Sequence, residues 1–310
     1  MMVLQMFCSN CGQRLCEGQN FCPNCGVLIR KRHPVAQFFI TLLQCIGFYC
    51  IFYSVHVICS EFALTIARLS ASSSSEASYA KDFYTALYGI KDLMGIVANV
   101  IIIFIFYVCY VCMRRSLVKE ICFKGIRISS GAAMITMGLA SQFLIILLVN
   151  IICLYFPDFA SDLSQSASEA AFGNNTPILE FINIAVMTAV CEEILFRGII
   201  HKRLTSVLPV PCAIILSSVL FGAAHLNAAQ FVYTTLLGIL LALVYEKYGS
   251  VLAPILIHMA FNAGALIISK ISFTDAVFAV LTVAFAGLFV TAVAFVFFTK
   301  LAPKETKDNI

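Results

Sequence analysis

Ionisable side chains are scarce in the apolar stretches of this chain, and the few that occur there fall in a narrow set. Glu192, Glu193 and Arg197 share one run, AVCEEILFRG. His225 follows Phe221 by four residues in a second run, and His258 precedes Asn262 by four in a third. Charges in a bilayer are costly and therefore mark sites. Glu193 and Arg197 stand four apart with the acid on the amino-terminal side, the better orientation for a helical ion pair. Glu192 points about 100° away and needs another partner or purpose. A carboxylate stripped of water becomes a stronger base, which suits general-base chemistry. A His and an Asn one helical turn apart can donate to the same oxygen, as an oxyanion requires. Alternatively Glu192, His225 and His258 ligate a metal, because two histidines with one glutamate form a catalytic zinc set. No HExxH motif is present. The blander alternative is a polar knot between helices. His56 has no polar neighbour at helical spacing and reads as a packed or snorkelling residue.

A second cluster lies near the amino terminus. Cys8-x2-Cys11 and Cys22-x2-Cys25 are paired knuckles whose four thiolates can close a tetrahedral site, for which zinc is the favoured metal. Gly12 and Gly26 follow the second cysteine of each knuckle, where a turn wraps the ion. A segment this short has no core, so metal binding would supply its folding energy. With all four ligand positions filled, the zinc is structural. A redox pair is the rival reading, Cys16 reads as a spare thiol, and Cys109-x2-Cys112 reads as ordinary packing at a helix end.

The elements that must position these residues follow from composition. The 310 residues are 61% hydrophobic and 12% charged, with a mean hydropathy of +0.96. Soluble domains carry about a quarter charged residues, and a soluble globule cannot bury this much apolar surface. Disorder is excluded by the same figures, and a net charge of +4 is too small to indicate nucleic acid. What remains is an all-α polytopic membrane protein.

Spans of about 20 residues are expected over 35–60, 93–113, 130–156, 178–200, 209–226, 228–245, 251–269 and 275–299, which makes about eight helices enclosing a polar cavity. A Ser-rich patch runs from Ala71 to Ser78, and an amphipathic stretch follows it through Asp92. The segment 157–176 carries Asp158, Asp162 and Glu169 with no Lys or Arg.

Basic residues set the orientation. Arg30, Lys31, Arg32, Arg114, Arg115, Lys119, Lys124, Arg127, Lys202, Arg203, Lys247, Lys300, Lys304 and Lys307 fall on one side, against Arg68, Lys81, Lys91 and Lys270 on the other. The richer side is the cytoplasmic one, so both termini are expected there. Residues 1–30 form a cytoplasmic zinc ribbon, and 31–129 hold two helices and a basic loop. Residues 130–300 form the core, and 301–310 a polar cytoplasmic tail.

Glu192-Glu193-x3-Arg197, Phe221-x3-His225 and His258-x3-Asn262, in this order, resemble the signature of the CPBP family, the CAAX-processing and bacteriocin-processing (Abi) intramembrane proteases. The likeness covers roughly 130–300. It implies an endopeptidase acting on membrane-associated proteins or peptides, in which Glu192 with His225 activates water while His258 and Asn262 stabilise the oxyanion. Glu193, Arg197 and Phe221 would be supporting residues, and no catalytic metal would be needed, since Asn262 is a poor zinc ligand. The ribbon resembles those at the front of many bacterial membrane proteins, which implies the bacterial cell membrane and a protein partner for the ribbon. Two other classes keep the same residues: a non-catalytic scaffold or bacteriocin-immunity factor, and a proton-coupled transporter, although no inverted repeat is visible. On straight helices His225 falls about 10 Å from the depth of Glu192 and His258. Either the fifth helix, which carries it, starts deeper, or the fifth and sixth are tilted or re-entrant, as irregular backbone lining a cavity allows.

Overall fold

The computed structural model describes residues 34–71, 75–155, 177–269 and 275–298, with Met6, Phe7, Arg14, Leu15 and Asn24. The chain divides into two compact units, Met1–Leu43 and Gln44–Ile310. In the first, β1 (Met6–Phe7) pairs antiparallel with β2 (Arg14–Leu15), Met6 opposite Leu15 and Phe7 opposite Arg14. Cys8, Cys11, Cys22 and Cys25, and with them the expected ribbon, lie outside the described residues, as do the acidic segment and the carboxy-terminal tail.

The described residues of the larger unit form helices joined by turns, and the first helix begins in the smaller unit. Helices α1 (Pro34–Ser70) and α2 (Glu76–Cys112) each have 37 residues, or about 55 Å, well beyond the roughly 30 Å of a hydrocarbon core. The expected spans stop short of these helices because the hydropathy ends before the helix does. At the start of α2, Ser75 adopts an extended backbone and its side chain accepts from the Ser78 amide, an N-cap that satisfies an otherwise orphaned donor. The amphipathic stretch through Asp92 is therefore helix.

A short α3 (Leu117–Glu120) precedes α4 (Ile128–Tyr155). Beyond it lie the helical run 177–204 (α5), α6 (Val210–Ala223), α7 (Ala228–Tyr248), α8 (Leu252–Ile268) and α9 (Asp275–Phe298). Pro211 lies in the first turn of α6, where its missing N–H is no loss. Asn227 caps α7 by accepting from the Gln230 amide, and Gly249, at φ 57°, ends it in the left-handed conformation that glycine adopts without penalty.

Five helices among the described residues are long and apolar enough to cross a membrane: Val35–Ser70, Ser78–Cys112, Ile128–Cys153, Gln230–Tyr248 and Val280–Phe297. Against the eight crossings expected, five have described helices of this length and hydropathy. With 14 and 17 residues, α6 and α8 reach about 21 and 26 Å, short of a full crossing. The α5 run is long enough but carries buried charge.

Large apolar side chains stand exposed on the outward faces, Phe104 on α2 and Val283 on α9 among them, as a hydrocarbon surround allows. Inside, α4 packs along α8 and α9, and α6 along α7. A Cβ at Gly138 of α4 would collide with the Ile257 carbonyl of α8, so a small residue is what lets these two backbones meet. One apolar cluster gathers Phe106, Tyr110, Phe196, Ile199, Phe221 and Tyr245, and a second gathers Met134, Met137, Leu241, Ile257, Phe261 and Val296.

Candidate active site on an irregular helix

The helix α5 changes hydrogen-bond pattern along its length. It is α-helical at Pro177–Glu180, π-helical at Phe181–Thr188, α-helical at Ala189–Glu193, π-helical again at Ile194–His201, and α-helical at Lys202–Leu204. Stretches of π-helix are rare and concentrate at functional sites, because the wider turn re-aims side chains at the expense of backbone bonding. Side chains from neighbouring helices hold the first π stretch. Asn262 Nδ2 on α8 donates to the Ile184 carbonyl at 2.9 Å. On the α2 side, Asn183 Nδ2 donates to Asp92 Oδ1 at 3.1 Å, and Asn99 Nδ2 to Thr188 Oγ1 at 3.3 Å. The glutamate pair sits in the short α segment between the two π stretches.

Glu193 is fully buried, and one of its oxygens carries two strong bonds. Oε1 accepts from Arg197 Nη1 at 2.8 Å and lies 2.8 Å from His258 Nδ1. A carboxylate oxygen only accepts, so Nδ1 is the nitrogen of His258 that bears hydrogen. That leaves Nε2 of His258 facing Glu192 Oε2 at 3.7 Å. Arg197, with 1% of its side chain exposed, spends Nη2 on the Gly238 carbonyl of α7 at 3.1 Å. The second oxygen of Glu193, Oε2, is buried with no hydrogen-bond partner among the described residues. An isolated charge could not be held here; an acid, a guanidinium and an imidazole together can.

Phe221 is the apolar centre of the site. Its ring lies 4.4 Å from the Arg197 guanidinium carbon, within cation–π range. It meets the His225 ring edge-on at 5.2 Å, the His258 ring at 5.7 Å and Phe196 at 5.1 Å. His225 lies just beyond the end of α6, with Nδ1 3.0 Å from the Phe221 carbonyl. A carbonyl can only accept, so Nδ1 carries hydrogen and a neutral His225 presents its lone pair at Nε2. The shortness of α6 accounts for the depth puzzle: a helix of about 21 Å brings His225 up beside the ring between the other site residues, not to the far face of a full span.

The seven motif residues are thus gathered on α5, on α6 with the turn after it, and on α8. Glu193, Arg197, Phe221 and His258 touch directly. Glu192, with 12% of its side chain exposed, stands at the accessible edge, where His225 and Asn262 are also partly exposed. No hydrogen bond or ion pair among the described residues joins Glu192 to His225. Among the described residues no three His, Cys, Asp or Glu side chains converge as metal ligands.

Sequence reasoning passed over His201. It continues the ladder Glu193-x3-Arg197-x3-His201 by one more turn and is fully buried. Its Nδ1 lies 3.1 Å from Ser217 Oγ on α6 and its Nε2 2.8 Å from Glu246 Oε1 on α7. The i, i+4, i+8 repeat was the available signal. Asp92, at the edge of an apolar run, and Asn99 and Asn183, single amides within two such runs, carried a weaker one.

Residues 174–264 match the family described as Type II CAAX prenyl endopeptidase Rce1-like. That stretch takes in all of α5, α6 and α7, most of α8 and all seven motif residues. No curated protein matches the chain, and no solved structure does. This region is therefore similar to a family of CAAX proteases, and its setting among apolar spans supports an integral membrane protein with peptidase activity.

Proposed function

We propose that the protein is an intramembrane endopeptidase that hydrolyses peptide bonds of membrane-associated proteins or peptides, with water as the nucleophile. Glu192, at the accessible edge of the site, and His225, through Nε2, take the proton of the attacking water as its oxygen bonds to the carbonyl carbon. His258, from Nε2 when doubly protonated, and Asn262, with the amide hydrogen not spent on Ile184, donate to the oxyanion of the tetrahedral intermediate. Collapse of that intermediate breaks the C–N bond, and the proton held by the base passes to the leaving amine. Glu193 and Arg197 brace His258, and Phe221 spaces the two imidazoles.

The observation that carries this reading is the double use of Glu193 Oε1 by Arg197 and His258, each at 2.8 Å. It anchors a buried histidine through Nδ1–H so that Nε2, which donates to the oxyanion once it is protonated, turns towards the second glutamate, the preorganisation that electrostatic catalysis needs. The match over 174–264 supports the same reading.

The reading is metal-free at the active site and places structural zinc on Cys8, Cys11, Cys22 and Cys25 as a partner-binding module. The antiparallel pairing of Met6–Phe7 with Arg14–Leu15 supports that module. The asymmetry of basic residues supports cytoplasmic termini.

The test is comparative proteomics of membranes from cells carrying the wild type or Glu192→Ala. A membrane-associated precursor should accumulate with the variant, and its cleavage should be restored by the wild-type protein. Identical proteomes from equally abundant, correctly inserted proteins would sink the enzymatic reading and leave the scaffold.

A further inference from the structure

Among the buried titratable groups that the mechanism does not use, His201 has the fullest set of partners. His201 is fully buried, yet both ring nitrogens are within hydrogen-bond distance of polar atoms on two different helices. Glu246 can only accept as a carboxylate, so Nε2–H donates to it. The Tyr245 ring stands perpendicular to the imidazole at 5.8 Å. One turn earlier, Arg197 makes a parallel tie from the same face of α5 to the Gly238 carbonyl of α7.

These two ties bracket the last turn of the second π stretch, Ile194–His201. A π-helical turn is less favourable than an α-helical one and persists only where its surroundings impose it. If Ile194–His201 relaxed to an α-helix, the register would slip by a residue. A slip of one residue turns a side chain by about 100°, enough to part Arg197 from the Gly238 carbonyl and the Phe221 ring. Glu193, its partner four residues before, would swing with it away from His258. Ser217 and Glu246 hold the far end of the stretch at a point where the chain leaves it for a regular helix.

We propose that His201 is a positioning residue: by binding Ser217 on α6 and Glu246 on α7 it locks the register of the second π stretch, and so the aim of Arg197 and Glu193 at His258. The proposal rests on the catalytic reading only for its consequence in turnover. The lock itself is a statement about geometry.

The test uses the full-length protein in detergent micelles, labelled with 15N at histidine. The Nδ1–H resonance of His258 is identified by its disappearance in His258→Gln. His201→Ala should shift or abolish that resonance while leaving the signal of His56 in place. His201→Gln, whose amide can still donate to Glu246, should restore it.

In parallel, turnover is measured on the precursor that accumulates with Glu192→Ala. His201→Ala should lower kcat by about 10²-fold, the scale of a misplacement of roughly 1 Å, with KM within about twofold, and His201→Gln should recover most of the loss. If no precursor exists, the catalytic reading fails and the resonance alone judges the lock. If His201→Ala does not fold, Glu246→Ala removes one anchor from the other side and should displace the same resonance. A His258 resonance unmoved in whichever of these variants folds overturns the proposal.

Discussion

Removing Arg197 tests whether the buried charges form one unit. In Arg197→Met the Glu193 carboxylate, with none of its side chain exposed, loses its guanidinium and keeps only His258. The variant also gives up the bond to Gly238 and the contact with the Phe221 ring. Stripping one partner from a buried pair costs about 3–5 kcal/mol, because the other charge stays buried and uncompensated. Adding Glu193→Gln removes that charge while leaving an amide oxygen for His258 to donate to.

The double variant should therefore be more stable than Arg197→Met alone, with about half or more of the loss recovered. The assay is denaturant unfolding of the purified protein in micelles, read as a four-corner cycle of wild type, both singles and the double. If the two losses simply add, the side chains do not share a charge balance, and the account of the site given above is wrong. A loss below about 1 kcal/mol for Arg197→Met would place the pair in water instead.

Replacing Asn262 with Ala should lower proteolysis by about 10²–10³-fold, the worth of an oxyanion donor, and also loosen the first π stretch, visible as faster amide exchange around Ile184. His225→Ala should lower turnover by about 10²–10⁴-fold, the range of a general base, with an unfolding midpoint close to that of the wild type because His225 is only partly buried; a midpoint as low as that of Arg197→Met would make it a structural residue. Gly138→Ala should destabilise by about 1–3 kcal/mol through overpacking against the Ile257 carbonyl, and an unchanged midpoint would mean that α4 and α8 can part freely. Replacing Cys8 and Cys22 together with Ser should abolish zinc in elemental analysis of the purified protein while proteolysis persists, whereas loss of proteolysis by the otherwise folded protein would tie the ribbon to catalysis.

Much of the helical layout was legible because hydropathy and helix propensity act locally. The runs that end in Tyr155, Ala223, Tyr248 and Ile268 lie where the pattern put them, within a few residues. The long extension of α2 back to Glu76 was not legible as a span, since its residues are amphipathic, and the cap at Ser75 decides where it begins. Of the eight expected crossings, five have described helices of spanning length and hydropathy, while an apolar run such as Val210–Ala223 forms a helix of only 14 residues, because composition marks the run and capping sets the helix length.

The site divides along the same line. Spacing alone determined that Glu193 and Arg197 would pair, since four residues on a helix bring side chains together whatever surrounds them. It also singled out Glu192, His225, His258 and Asn262 as polar groups that apolar runs do not otherwise carry. Contacts between helices depend on packing, which spacing does not contain. Only the tertiary structure decided that His258 bonds to Glu193 and merely faces Glu192, that Phe221 stands between both imidazoles, and that His201 reaches Ser217 and Glu246. The π stretches belong there too, because nothing within α5 favours a wider turn. Neighbouring side chains from α2, α6, α7 and α8 hold it open, and their positions exist only in the folded chain.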